Sequence, residues 1–173
     1  MIRLSTLIKE VALKPYKKMI IGSVVAFMKD KYKLNANITL KRKSNPALIG
    51  DVPMNHNSVN KNKFTVHWNP NYSTEYLIKI LIHELTHVKQ ISKKELQPAP
   101  DYKSIYWKGK EFITVRDYNK LIKKDRNSNR KLPWEIEADT NMKKLYSEFL
   151  NSSYWKGMYG KDVTLDYLID NLS

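Results

Sequence analysis

The sequence predicts a mixed α+β fold in a single domain spanning 1–173, and three observations carry that expectation. Its 173 residues, 42% of them hydrophobic, are enough for one core and too few for two. Short β-branched segments precede a long apolar stretch with helical spacing at 76–91, and a second amphipathic stretch opens at Pro133. The residues between those stretches, 88–134, are too many for a bare connection and call for structure of their own.

Taken in order, Thr6–Leu13 reads as a short helix interrupted at Pro15. Tyr16–Lys31 reads as a second helix, with Met19, Ile20, Val24, Phe27 and Met28 on its buried side. Asn37–Lys43 alternates as a strand, Ser44-Asn45-Pro46 turns, Ala47–Val52 offers a second strand, and Asn55–Asn62 is a polar loop. Lys63–Trp68 is a third strand, after which Ser73 or Thr74 caps the apolar helix. Gln97–Asp101 breaks the chain, and Ser104–Trp107 with Lys110–Val115 forms a hairpin around Lys108-Gly109. Arg116–Lys131 reads as a basic loop, Pro133 suits a first helical turn, and Asp162 caps a last short helix.

Tyr76–Ile91 contains His83-Glu84-Leu85-Thr86-His87. At about 100° per residue, His83 and His87 lie one turn apart on one face, so two imidazoles can close on one metal ion. Glu84 points to the neighbouring face, where it serves as a base without being a ligand. The apolar residues of this helix fill an arc of roughly 200° that takes in Glu84 and His87 and has His83 on its edge, and burying three ionisable groups there is costly unless a cation pairs them.

A hydrolytic zinc site needs a third protein ligand. No histidine follows His87, and Gln90 stands where longer histidine motifs have glycine, so a carboxylate is required. Pro133-Trp134-Glu135-Ile136-Glu137-Ala138-Asp139 offers three. Relative to Glu135, Asp139 lies about 40° away, on the apolar stripe with Met142, Tyr146 and Phe149, whereas Glu137 lies about 200° away. Glu135 is therefore the expected ligand, Asp139 the acceptor for a ligand histidine's second N–H, and Glu137 a solvated acid.

With those residues in place, the chain resembles the gluzincin metallopeptidases, whose third ligand is the first Glu of an E-x-x-x-D pattern on a later helix. It is also similar to the SprT-like and ImmA/IrrE-like minimal zincin domains, some of them phage-encoded, and departs from the SprT-like pattern in having Glu where His is common. The resemblance implies a zincin-like fold, a small sheet packed on the H-E-x-x-H helix with a second ligand-bearing helix. It implies one Zn²⁺ per chain on His83, His87 and Glu135, and hydrolysis of peptide bonds with Glu84 as general base. It further implies that Phe64–Trp68 lines the cleft and pairs with substrate by strand addition. His67, Tyr106 and Tyr118 are the nominees for steadying the oxyanion or lining the cleft.

The net charge is +14 and the sequence pI about 9.7. Such a balance favours anionic partners, so a nucleic-acid-associated module is a rival reading, as is cleavage of cell-wall amides. Arg116–Lys131 holds seven basic and two acidic residues, and Lys123, Lys124 and Arg126 are its candidate nucleic-acid contacts. There is no cysteine, which fits a reducing compartment. No run reaches the ~18 apolar residues of a membrane span, and no secretion signal opens the chain. The expectation is a cytoplasmic protein, in an infected host cell or carried by a virion, acting on protein or peptide and not on a membrane.

Overall fold

A computed structural model of the chain describes residues 4–42, 50, 51, 61–124 and 126–159. The Ser44-Asn45-Pro46 turn, most of the polar loop before Asn62 and the helix expected after Asp162 lie outside the described residues. Helix α1 runs over Leu4–Tyr32 without a break at Pro15, correcting the expected interruption. A proline inside a helix costs about 3 kcal/mol. Here the C-terminal half is anchored by the buried Ile20, Ile21, Val24, Phe27 and Met28, so the helix continues through it.

Strands β1 (Asn37–Arg42), β2 (Gly50–Asp51) and β3 (Lys63–Trp68) form one sheet in the order β1-β3-β2. β1 lies parallel to β3, with Ile38 beside Phe64 and Leu40 beside Val66, and β2 lies antiparallel on the other side. Alternation puts Phe64, Val66 and Trp68 into the core and turns Lys63, Thr65 and His67 to the other face. β3 is thus the central strand. At its Trp68 end both edges are already paired, so His67 and Trp68 have no edge open for an added strand.

Helix α2 (Thr74–Ser92) carries the H-E-x-x-H stretch. Ser73 is its N-cap, the Ser73 hydroxyl accepting from the Tyr76 N–H at 3.3 Å. Leu77, Ile78, Leu81, Ile82, Leu85 and Val88 are fully buried, packed between α1 and the first sheet. Beyond it the chain reverses at Lys94, whose φ is 58°, and enters a second sheet, β4 (Leu96–Pro98), β5 (Ser104–Trp107) and β6 (Lys110–Thr114), in that order. Part of the expected break at Gln97–Asp101 is therefore strand. Lys108 and Gly109, at φ 48° and 81°, close the β5–β6 hairpin; two positive φ values are what a two-residue turn between twisted strands requires. β6 carries a bulge at Phe112, since Glu111 pairs with Tyr106 and Ile113 with Ile105.

The basic stretch expected as loop is mostly helical: α3 covers Val115–Lys124 and a 3₁₀ turn covers Arg126–Lys131. Val115, Tyr118 and Leu121 lie along one side of α3 and pack on the core, while Arg116, Lys120, Lys123 and Lys124 are exposed. Helix α4 (Pro133–Asn151) follows, with Pro133 in its first turn, then α5 (Ser153–Tyr159). α4 packs against α2 in the opposite direction: His87 meets Glu135, His83 meets Asp139, and the Lys79 ammonium sits 4.8 Å from the Tyr146 ring centre. The fold is mixed α+β with small sheets, and among the described residues no helix is long and apolar enough to cross a membrane.

Candidate metal centre

The crossing of α2 and α4 brings His83, His87 and Glu135 together, although their sequence separation is as large as 52 residues. His83 Nε2 lies 3.1 Å from His87 Nε2 and 3.2 Å from Glu135 Oε2, and His87 Nε2 lies 3.4 Å from the same oxygen. Ligand atoms held about 2.0–2.1 Å from a tetrahedral ion are separated by about 3.3–3.4 Å. The three atoms therefore make a triangle the size of one face of such a coordination shell, and this group can hold a metal ion.

The partners of the other ring nitrogens decide what the triangle presents. His83 Nδ1 lies 3.0 Å from Asp139 Oδ1, a carboxylate oxygen that only accepts, so the ring proton sits on Nδ1. His87 Nδ1 faces Gln90 Oε1 at 2.8 Å, and the Gln90 amide is oriented by its own Nε2, which donates to the Trp134 carbonyl at 3.0 Å. His87 therefore also carries its proton on Nδ1. Both Nε2 lone pairs then converge on a carboxylate oxygen, an arrangement that repels itself unless a cation or a proton is shared among the three.

The electrostatics show the same demand for positive charge. Where a proton is shared across the triangle, burial still pushes Glu135 up, but the hydrogen bonds it then accepts from His83 and His87 outweigh that and hold its carboxyl at about 2. Burial likewise depresses His87, yet the bond to Glu135 and the charges of Glu135 and Glu84 lift it above the usual histidine value. Glu84 is itself buried, and its negative charge adds to the upward shift of His87.

Asn129, in the 3₁₀ turn, donates to the second carboxylate oxygen, Glu135 Oε1, at 3.3 Å. Sequence reasoning named neither Asn129 nor Gln90 as a site residue. Gln90 carried a usable signal, since three residues beyond His87 is the same helical face. Asn129 carried none.

Glu137 corrects an expectation. It is not simply solvated: Lys89 of α2 reaches it at 3.0 Å and Lys108 of the hairpin turn at 2.7 Å, and Lys89 also pairs with Glu95 at 2.6 Å. Helical projection identifies a face but not what covers it, and that flank of α4 is covered by the end of α2 and the β5–β6 turn. Asp139→Ala is expected to weaken metal affinity about 10- to 100-fold by freeing the His83 ring. Glu137→Ala should leave the affinity unchanged and lower stability by about 1 kcal/mol. Metal titration and denaturant unfolding of both variants check this, and loss of metal in Glu137→Ala alone would overturn the assignment of the two acids.

Of the nominees for the cleft, Tyr118 is the one whose phenol feels the charge of Glu135. Its half-buried ring lies 6.3 Å from that of Trp134, and burial together with the negative charge of Glu135 raises its phenol above the usual tyrosine value. His67 lies on the face of β3 turned away from the buried Phe64, Val66 and Trp68. Tyr106 is half-buried and lies on the opposite face of β5 from Ile105 and Trp107. Lys123 and Lys124 are exposed at the end of α3, and the side chain of Arg126 lies outside the described residues. No protein-family model, curated protein or solved structure matches the chain, so the geometry of the centre carries whatever function is assigned to it.

Proposed function

We propose that this chain is a zinc-dependent peptide hydrolase of zincin-like architecture. The observation that carries the reading is the triangle of His83 Nε2, His87 Nε2 and Glu135 Oε2, with both imidazole Nδ1 protons committed to acceptors. The resemblance of the same residues to the gluzincin pattern supports it. Zinc held by His83, His87 and Glu135 would supply Lewis acidity, polarising a substrate carbonyl and making water easier to deprotonate near neutral pH.

The chain's own residues do the rest. Asp139 and Gln90 hold the two rings in the tautomer that offers Nε2. Glu84, one residue past the first ligand, accepts the proton of the attacking water and delivers it to the leaving amine. Tyr118 offers a protonated phenol on the α3 side for the carbonyl oxygen that gains charge.

A second reading is favoured by the exposed Arg116, Lys120, Lys123 and Lys124 of α3, together with Arg130 and Lys131, on the elements that supply Tyr118 and Asn129. In it this flank brings the enzyme to nucleic acid or to proteins bound there. One experiment addresses both readings. Hydrolysis of an unfolded protein substrate is followed with chelator, after zinc is restored, and with DNA in rising salt. Chelator should abolish turnover and zinc should restore it. DNA stimulation should fall steeply with salt, as phosphate contacts releasing counterions require, and replacing Lys123, Lys124 and Arg126 should flatten that slope. Zinc-loaded protein without hydrolysis removes the first reading, and a salt slope unchanged by the triple replacement removes the second.

A further inference from the structure

We infer that Gln90 is a positioning residue that ties the two ligand-bearing helices into one metal centre, an inference that rests on the metal-centre reading above. Gln90 is fully buried, and a buried primary amide is tolerated only when its polar atoms are bonded. Its oxygen accepts from His87 Nδ1 at 2.8 Å, and its nitrogen donates to the Trp134 carbonyl at 3.0 Å. The second partner is decisive. The Trp134 carbonyl belongs to the peptide group that leads into Glu135, so one side chain touches the second ligand directly and the backbone of the third.

Two consequences follow from that span. The amide cannot rotate, because turning it over would set Nε2 against a ring N–H and Oε1 against a carbonyl; the His87 tautomer is therefore fixed from α4. In the other direction, the first turn of α4 is held at a set distance from α2, which keeps Glu135 Oε2 at 3.4 Å from His87 Nε2. Asp139 acts on His83 alone and reaches it from a half-exposed position, its side chain 45% accessible. Gln90 acts on two ligands from a dry one, where a hydrogen bond is not in competition with water.

The test compares zinc affinity, the visible spectrum of the cobalt-substituted protein and the unfolding of metal-free protein. Gln90→Met keeps volume and removes both bonds. Gln90→Asn keeps the amide but, one methylene shorter, cannot reach both partners. Leu85→Ala is a control that disturbs the core of the same helix at a fully buried residue that is neither a ligand nor a hydrogen-bond partner of one. Gln90→Met should weaken zinc binding about 10- to 100-fold, Gln90→Asn about tenfold, and both should change the cobalt bands as the ligand geometry relaxes. Leu85→Ala should lower unfolding stability and leave affinity and spectrum as in the parent. Either Gln90 variant, if folded, decides the matter: parent affinity and spectrum in it overturn the inference and leave the metal centre standing. A parent protein that takes up neither zinc nor cobalt overturns both.

Discussion

Glu84→Gln is expected to keep its fold and its metal and to lose turnover by about 10²- to 10⁴-fold, the contribution of a positioned general base. Glutamine has the shape of glutamate and can stay in the same buried position, but it has no basic oxygen with which to accept a proton from water. Its neighbours argue that little else changes. The ligands His83 and His87 are oriented by Asp139 and Gln90. A fall in kcat with unchanged zinc content and an unchanged unfolding curve is the expected result. Hydrolysis near the parental rate would take Glu84 out of the mechanism.

His83→Ala, His87→Ala and Glu135→Ala should each cost metal affinity about 10³-fold or more. Binding free energies of about 10–16 kcal/mol for four-ligand zinc sites leave several kcal/mol for each ligand. The three losses should be comparable, because each variant removes one corner of a triangle whose sides are 3.1, 3.2 and 3.4 Å. Elemental analysis and competitive titration read the effect directly. Full zinc retention in Glu135→Ala would show that the carboxylate's closeness to the imidazoles is an ion pair and not a ligand contact.

Much of this centre was legible in the residues, for identifiable reasons. The apolar spacing of 76–91 marked α2, and the helical phase of Pro133–Asp139 separated Glu135 and Asp139 from Glu137. Both inferences use only the geometry of one helix, which local sequence determines. The Lys108-Gly109 turn was readable because turn chemistry is local as well. What escaped reading depended on neighbours: Glu137 meets Lys89 and Lys108, and β3 lies between β1 and β2. Asn129 reaches Glu135 only because the 3₁₀ turn folds back on α4. Pro15 misled because a local penalty was weighed without the tertiary packing that offsets it. Arg116–Lys131 misled because its charges hid the one apolar side of α3 formed by Val115, Tyr118 and Leu121.

The span between the ligands has a consequence for the folding of the chain. His83 and Glu135 are 52 residues apart, and the loop they delimit contains the whole second sheet, α3 and the 3₁₀ turn. An ion joining the two ends acts as a removable cross-link across that loop, shrinking the conformational freedom of the opened chain as a covalent staple does. Occupancy then becomes a stability term for this half of the molecule, worth about 4 kcal/mol when the free ion stands at a thousand times its dissociation constant. The first sheet and α1 lie outside the loop, held by Ile20, Val24, Met28, Phe64 and Val66 against α2. If the centre is filled as proposed, removing the ion is expected to loosen the chain unevenly, slackening the segment that carries Tyr118, Asn129 and the exposed lysines more than the α1–sheet–α2 core.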